Sequence, residues 1–235
     1  MKTPFVLLII SLTLAKVHGQ YFMPEIDNTD AARAIEVYAV TIDGDTIRGK
    51  VTFAVMAEGF RKITIKDELG VKYKMKAEHI QLLAVKPQMM VKVASYFSAP
   101  SVKRMLKADF EDVVNREWVF FELVLLPQKR NKFSLLQLLN SGFDSKIKVY
   151  LDPSAKETSG LKIWDIKLTG GMDKSYIVVI GGLKSIYIKK KKYNKEAQRI
   201  LYNNCPIFKE HYAGDKFKIK DMAKHVFVYD QLCDN

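Results

Sequence analysis

Polar and apolar residues begin to alternate at Ala34. In AIEVYAVTI, Ile35, Val37, Ala39 and Thr41 share one side, the period of a strand with one face on a core. DGDT at Asp43–Thr46 predicts a tight hairpin, because Asp-Gly accepts the positive φ such a turn demands. IRGKVTFAV gives a second strand, Glu58-Gly59 a loop, RKITIKD a third strand and Glu68–Gly70 another turn. In VKYKMKAEHI, Val71, Tyr73 and Met75 point one way and Lys72, Lys74 and Lys76 the other, which gives that strand a solvated face. KAEHI fits a short 3₁₀ turn, and QLLAVKP completes the set at Pro87. Five short strands joined by turns between residues 32 and 87 predict a small barrel or roll of SH3-like size.

Past Pro87 the pattern changes. A helix is expected from Ser101 to Val114, with Ser101 as its cap. REWVFFELVLLP reads as a buried strand. NKFSLLQLLNSGF reads as a strand in series with KIKVYLD at Lys146–Asp152, and LKIWDIKL as one more. SYIVVI and KSIYIKK form a hairpin about Gly181-Gly182, and together these segments predict a second antiparallel sheet. Near the end the period becomes helical. Asn194 is placed to cap KEAQRILYNN, and Cys205-Pro206 to end it, since the residue before proline avoids the helical region. IFKEHYAG is a short helix stopped by Gly214, and KIKDMAKHVFVYDQL spaces Met222, Val226, Tyr229 and Leu232 helically. The expected class is α+β, mainly β: an SH3-like barrel over 32–87, a β-rich region over 88–190 and a C-terminal helical cap over 191–235.

The first residues are of another kind. Lys2 precedes an apolar run from Phe5 to Ala15, and Val17 and Gly19 are small enough for the −3 and −1 positions of a signal peptidase site. That run is too short for the roughly 20 residues of a permanent membrane helix. Residues 1–19 are therefore expected to be a signal peptide cleaved after Gly19, which places the protein in the periplasm, on the outer surface or in the medium. Cleavage removes Lys2 and Lys16, so a formal net charge of +12 becomes +10 on 216 residues. The two cysteines, Cys205 and Cys233, fit that compartment. A disulfide between them closes a loop of about 28 residues, worth about 3 kcal/mol in the chain-entropy model. The alternative is two unpaired thiols, one of them buried.

Charge draws the eye to IYIKKKKYNKEAQRI. Read as the continuation of a strand, Lys189, Lys190, Lys191 and Lys192 point alternately to opposite faces and block edge pairing. The functional reading of the same four is an anion-binding surface for phosphate, acidic glycan or lipid headgroups. No RNP-like or helix-turn-helix signature accompanies them, and an exported protein seldom meets chromosomal DNA, so nucleic acid is not the expected partner.

Catalytic signatures are missing. His79, His211 and His225 fall in separate predicted elements, with neither HExxH nor an i, i+4 pair. There is no GxSxG, and the glycine pairs at Gly170–Met172 and Gly181–Leu183 suit hairpins better than phosphates. Asp109, Glu111 and Asp112 read as a solvated helix face, and Trp118 and Trp164 as core. No catalytic residue, metal ligand or cofactor is assigned.

Three stretches, VYAVTIDGDTIRGKV, LLQLLNSGFDSKIKVYLDP and YNKEAQRILYNNCPIFKEHYAGDKFKIKDM, carry a resemblance. Together they resemble a group of uncharacterised exported proteins of Bacteroidota-type bacteria, which share a signal peptide, a GD-x-hydrophobic-x-G hairpin and an aromatic-rich helix running into Cys-Pro. The resemblance implies export across a bacterial inner membrane. Its motifs are turns and caps, so it transfers no functional residue. The expected function is a non-enzymatic binding or structural protein that contacts an anionic envelope polymer or another envelope protein. The alternative is an envelope- or polysaccharide-directed hydrolase whose site the fold assembles.

Overall fold

The computed structural model describes residues 21–97, 109–127, 132–155, 162–163, 166–167, 175–182 and 184–233. The expected signal peptide, Ser101 and Trp164 lie outside them. A one-turn helix, α1 (Asn28–Ala32), is capped by the Asp27 carboxylate, which accepts from Thr29 N at 2.7 Å. Five strands follow: β1 (Glu36–Thr41), β2 (Thr46–Met56), β3 (Phe60–Lys66), β4 (Lys72–Lys76) and β5 (Ile80–Lys86). They form an antiparallel meander in the order β5-β1-β2-β3-β4, and the expected 3₁₀ turn, Ala77–His79, links the last two.

The meander does not close by itself. β6 (Val119–Leu125) pairs with β5, and β7 (Phe133–Gln137) pairs with β6. β7 also meets β3 at Phe60↔Leu135, completing a six-stranded ring of β1, β2, β3, β7, β6 and β5. β4 stays outside that ring, paired with β3 alone. The WVFFELVLL and NKFSLLQ segments, expected in the second sheet, thus belong to the barrel, and the boundary expected at Pro87 runs through it. The five-strand meander leaves one side of β5 unpaired, and β3 unpaired at its Phe60 end beyond the reach of β4, and β6 and β7 fill that gap. Inside the ring, Val37, Ala39, Ile63, Ile65, Leu83, Val85 and Phe121 make a core of nearly inaccessible side chains.

β6 is apolar on both faces because both are covered. Val119 and Phe121 face the barrel core, whereas Val124 packs outward with Leu126, Leu136 and Leu138 against Tyr150, Ile177 and Val179. These last three belong to the second sheet: β8 (Ile147–Leu151), β11 (Ser175–Ile180) and β12 (Ser185–Lys189), in the order β12-β11-β8. Ahead of them the described residues include α2 (Met89–Phe97) and α3 (Phe110–Asn115), and Asp109 caps the latter, accepting from Glu111 N, while the cap expected at Ser101 lies outside the described residues. The single strand expected at LKIWDIKL is a pair of two-residue strands, β9 (Lys162–Ile163) and β10 (Ile166–Lys167).

The other face of the second sheet carries the helical cap. Val149, Tyr176, Val178 and Ile188 pack on Tyr193, Leu201, Phe208, Met222 and Val226. β12 runs through a 3₁₀ turn at Lys190–Lys192 into α4 (Tyr193–Glu196), which continues as a π-helical turn, Ala197–Leu201. Asn194 lies inside this helix and does not cap it. Its Oδ1 instead accepts from Phe217 N at 2.8 Å. Helical structure ends at Leu201, ahead of the expected stop, and Pro206 opens α5 (Pro206–His211), where its missing N–H costs nothing. α6 (Met222–Leu232) is the last helix among the described residues. Cys205 and Cys233 form the disulfide, which ties the start of α5 to the end of α6 across a Cα–Cα distance of 5.7 Å.

A candidate anion-binding face on the barrel

Strand register gathers lysines that the sequence scatters. β3 and β4 pair as Lys62↔Lys76, Thr64↔Lys74 and Lys66↔Lys72, and β2 pairs with β3 as Lys50↔Lys66. Directly opposed residues share a face, and so do residues two apart on one strand. Ile63 and Ile65 point to the core, so Lys50, Lys62, Lys66, Lys72, Lys74 and Lys76 all point outward, and each is exposed. Their Cα atoms form a lattice with a spacing of about 5 Å across strands and about 7 Å along them. Three pairs are lysine directly opposite lysine, an arrangement that disfavours the sheet itself. Among the described residues only Lys76 of the six makes an ion pair, with Glu78 at 3.2 Å. Asp67, in the turn between β3 and β4, is occupied by Val71 N at 2.8 Å and Tyr73 Oη at 3.1 Å.

Two apolar side chains sit on the same face. Phe53 is opposite Thr64 and is 57% exposed, and Val55 is opposite Lys62 and is 37% exposed. Arg48, further along β2, is engaged: it pairs with Glu36 at 3.7 Å and lies 5.2 Å from the centre of the Tyr38 ring.

The lysine run flagged in the sequence lies elsewhere. Lys189 ends β12 opposite Ser175, and Lys190, Lys191 and Lys192 form a 3₁₀ turn where a continued strand was expected. A 3₁₀ turn has three residues, so these side chains fan out around its axis. All four are exposed at the entrance to the helical cap, not on the barrel face. What hid the barrel lattice was register. KVTF, RKITIK and VKYKMK each show alternation, but only pairing tells which alternate set lies beside which.

Several other polar groups are engaged in holding the structure together. Glu122 on β6 accepts from Lys148 Nζ at 2.8 and 2.9 Å and from Tyr150 Oη at 2.5 Å, joining the barrel to the second sheet. Burial and the Glu122 charge push the Tyr150 phenol far above its ordinary range. Asp112, read as solvated, accepts from Tyr21 Oη and from Arg116 at 3.1 Å. Trp118, read as core, is half-buried. Its ring meets Tyr38 edge-on at 5.0 Å, with Lys86 Nζ 5.9 Å from its centre.

His79, His211 and His225 are not brought together. His79 is exposed in the 3₁₀ turn after β4, and His211 is exposed at the end of α5. His225 is buried on α6, with Nδ1 2.8 Å from Tyr193 Oη, and that hydroxyl lies 3.0 Å from Tyr202 Oη. Desolvation among these rings lowers the His225 pKa to about 4, against an opposing pull from Asp221. Among the described residues no cluster of three or more His, Cys, Asp or Glu side chains is arranged to hold a metal. No family model, no curated protein and no solved structure matches this chain.

Proposed function

We propose that this is an exported, non-enzymatic binding protein that holds an anionic polymer of the cell envelope on the lysine face of β2, β3 and β4. The supporting observation is the outward lattice of six lysines with three direct lysine–lysine oppositions. A solvent face needs only polarity, and mixed charges would provide it at lower cost to the sheet. A polyanion laid across the strands converts that repulsion into attraction and releases its own counterions. Export rests on the basic, apolar and small-residue order of residues 1–19. The Cys205–Cys233 bond agrees with an oxidising compartment, and among the described residues no helix is long and apolar enough to cross a membrane.

The test is retention on immobilised acidic polymers as salt is raised. The native protein binds at low salt and elutes as salt rises. The triple variant Lys62→Glu, Lys66→Glu, Lys74→Glu loses at least about tenfold in affinity and shows a shallower salt dependence. Charge reversal at Lys190, Lys191 and Lys192 leaves most of the binding in place. Absence of retention on every acidic polymer at low salt, or equal loss from the two sets, overturns the assignment.

A further inference from the structure

The lysine lattice has an aromatic centre, and a backbone irregularity puts it there. Along β2, Ile47 and Val51 face the core, and simple alternation would send Phe53 inward after them. The register with β3 shifts between Val51 and Phe53, so that Val51 opposes Ile65 but Phe53 opposes Thr64. The extra residue at Thr52 is a β-bulge, a device that re-aims the side chains after it. Beyond it, Ala54 takes the core position against Ile63, and the larger Phe53 is turned out to solvent. Apart from Thr64 opposite it and Val55 beyond it on β2, its neighbours on that face are cationic. Lys50 precedes it on β2, Lys62 and Lys66 flank its partner Thr64 on β3, and Lys74 opposes Thr64 on β4.

We propose that the polymer held here is an acidic glycan, with Phe53 as the platform for the C–H face of a sugar ring while Lys50, Lys62, Lys66 and Lys74 take the charged substituents around it. This rests on the anion-binding reading of the same face. A flat ring in water gains by covering an aromatic face with apolar C–H groups, through burial and dispersion. A polyanion without rings has nothing to place there. Proteins that take single strands of nucleic acid stack successive bases on several aromatic platforms, whereas this face presents one.

The experiment compares affinities of the purified protein at low salt for polygalacturonate, inorganic polyphosphate and a single-stranded DNA oligomer. The native protein, Phe53→Leu and Phe53→Tyr are measured side by side. Phe53→Leu weakens polygalacturonate about five- to tenfold, Phe53→Tyr stays within about twofold, and polyphosphate affinity is the same for all three. A Phe53→Trp variant gives an optical readout that does not depend on loss of binding. Its emission, against the native background, shifts on adding polygalacturonate and not on adding polyphosphate. Equal polygalacturonate affinity across the variants overturns the ring platform and leaves the anion-binding reading standing. Tighter, Phe53-dependent binding of the DNA oligomer overturns the glycan assignment. Failure to bind any of the three polymers overturns both readings together.

Discussion

His225 shows how a single buried side chain sets a pH limit on the cap. Its pKa is about 4, against an ordinary 6.5. Below 6.5 the unfolded chain takes up a proton that the folded chain refuses, so stability declines as pH falls through the window down to 4 and is level above 6.5. The full difference is about 3 kcal/mol. Urea midpoints measured from pH 7 to pH 4 should show this decline, and His225→Phe should flatten its histidine component. The sequence places this histidine in the last helix, and the structure buries it there. Its partner did not show, because Tyr193 Oη comes from an element 32 positions away and only tertiary packing supplies it.

Elements were legible where their signals were local. The Asp-Gly hairpin, the 3₁₀ turn after β4 and the Gly181-Gly182 hairpin depend on a few adjacent residues, and all are present, whereas the helix expected to stop at Gly214 already ends at His211. Placement of strands within sheets was not legible, because β6 and β7 carry apolar residues on both faces and give no alternation to assign. The bulge at Thr52 was equally silent: VTFAV reads as an ordinary strand, yet it inverts which side of β2 is wet. Gly49, the last residue of the GD-x-hydrophobic-x-G hairpin, has a reason in the element. At this point β2 leaves β1 for β3, and a Cβ here would lie 2.1 Å from the Lys66 carbonyl oxygen. Since that oxygen is backbone, the strands must separate to admit it. Gly49→Ala is therefore expected to lower the unfolding free energy by more than about 2 kcal/mol, read as a shift of the denaturation midpoint, and to loosen the register on which the lysine lattice depends.

On the scale of the whole molecule, three cores are stacked in series: the barrel interior, the seam between barrel and second sheet, and the packing of that sheet on the helical cap. The disulfide belongs to the last of these alone. Reduction is expected to remove about 3 kcal/mol from the cap, so its amide hydrogens should exchange sooner than those of β1, β5 and β6. Uniform acceleration across all three layers would show that the layers open as one. The ring also imposes a sequence of events on a chain delivered amino end first. Its first five strands arrive early, but the gate between β3 and β5 stays open until Phe133–Gln137 emerges. During that delay bare backbone is offered to any neighbour, and the lysines along β4 act as a guard rail on the outer rim.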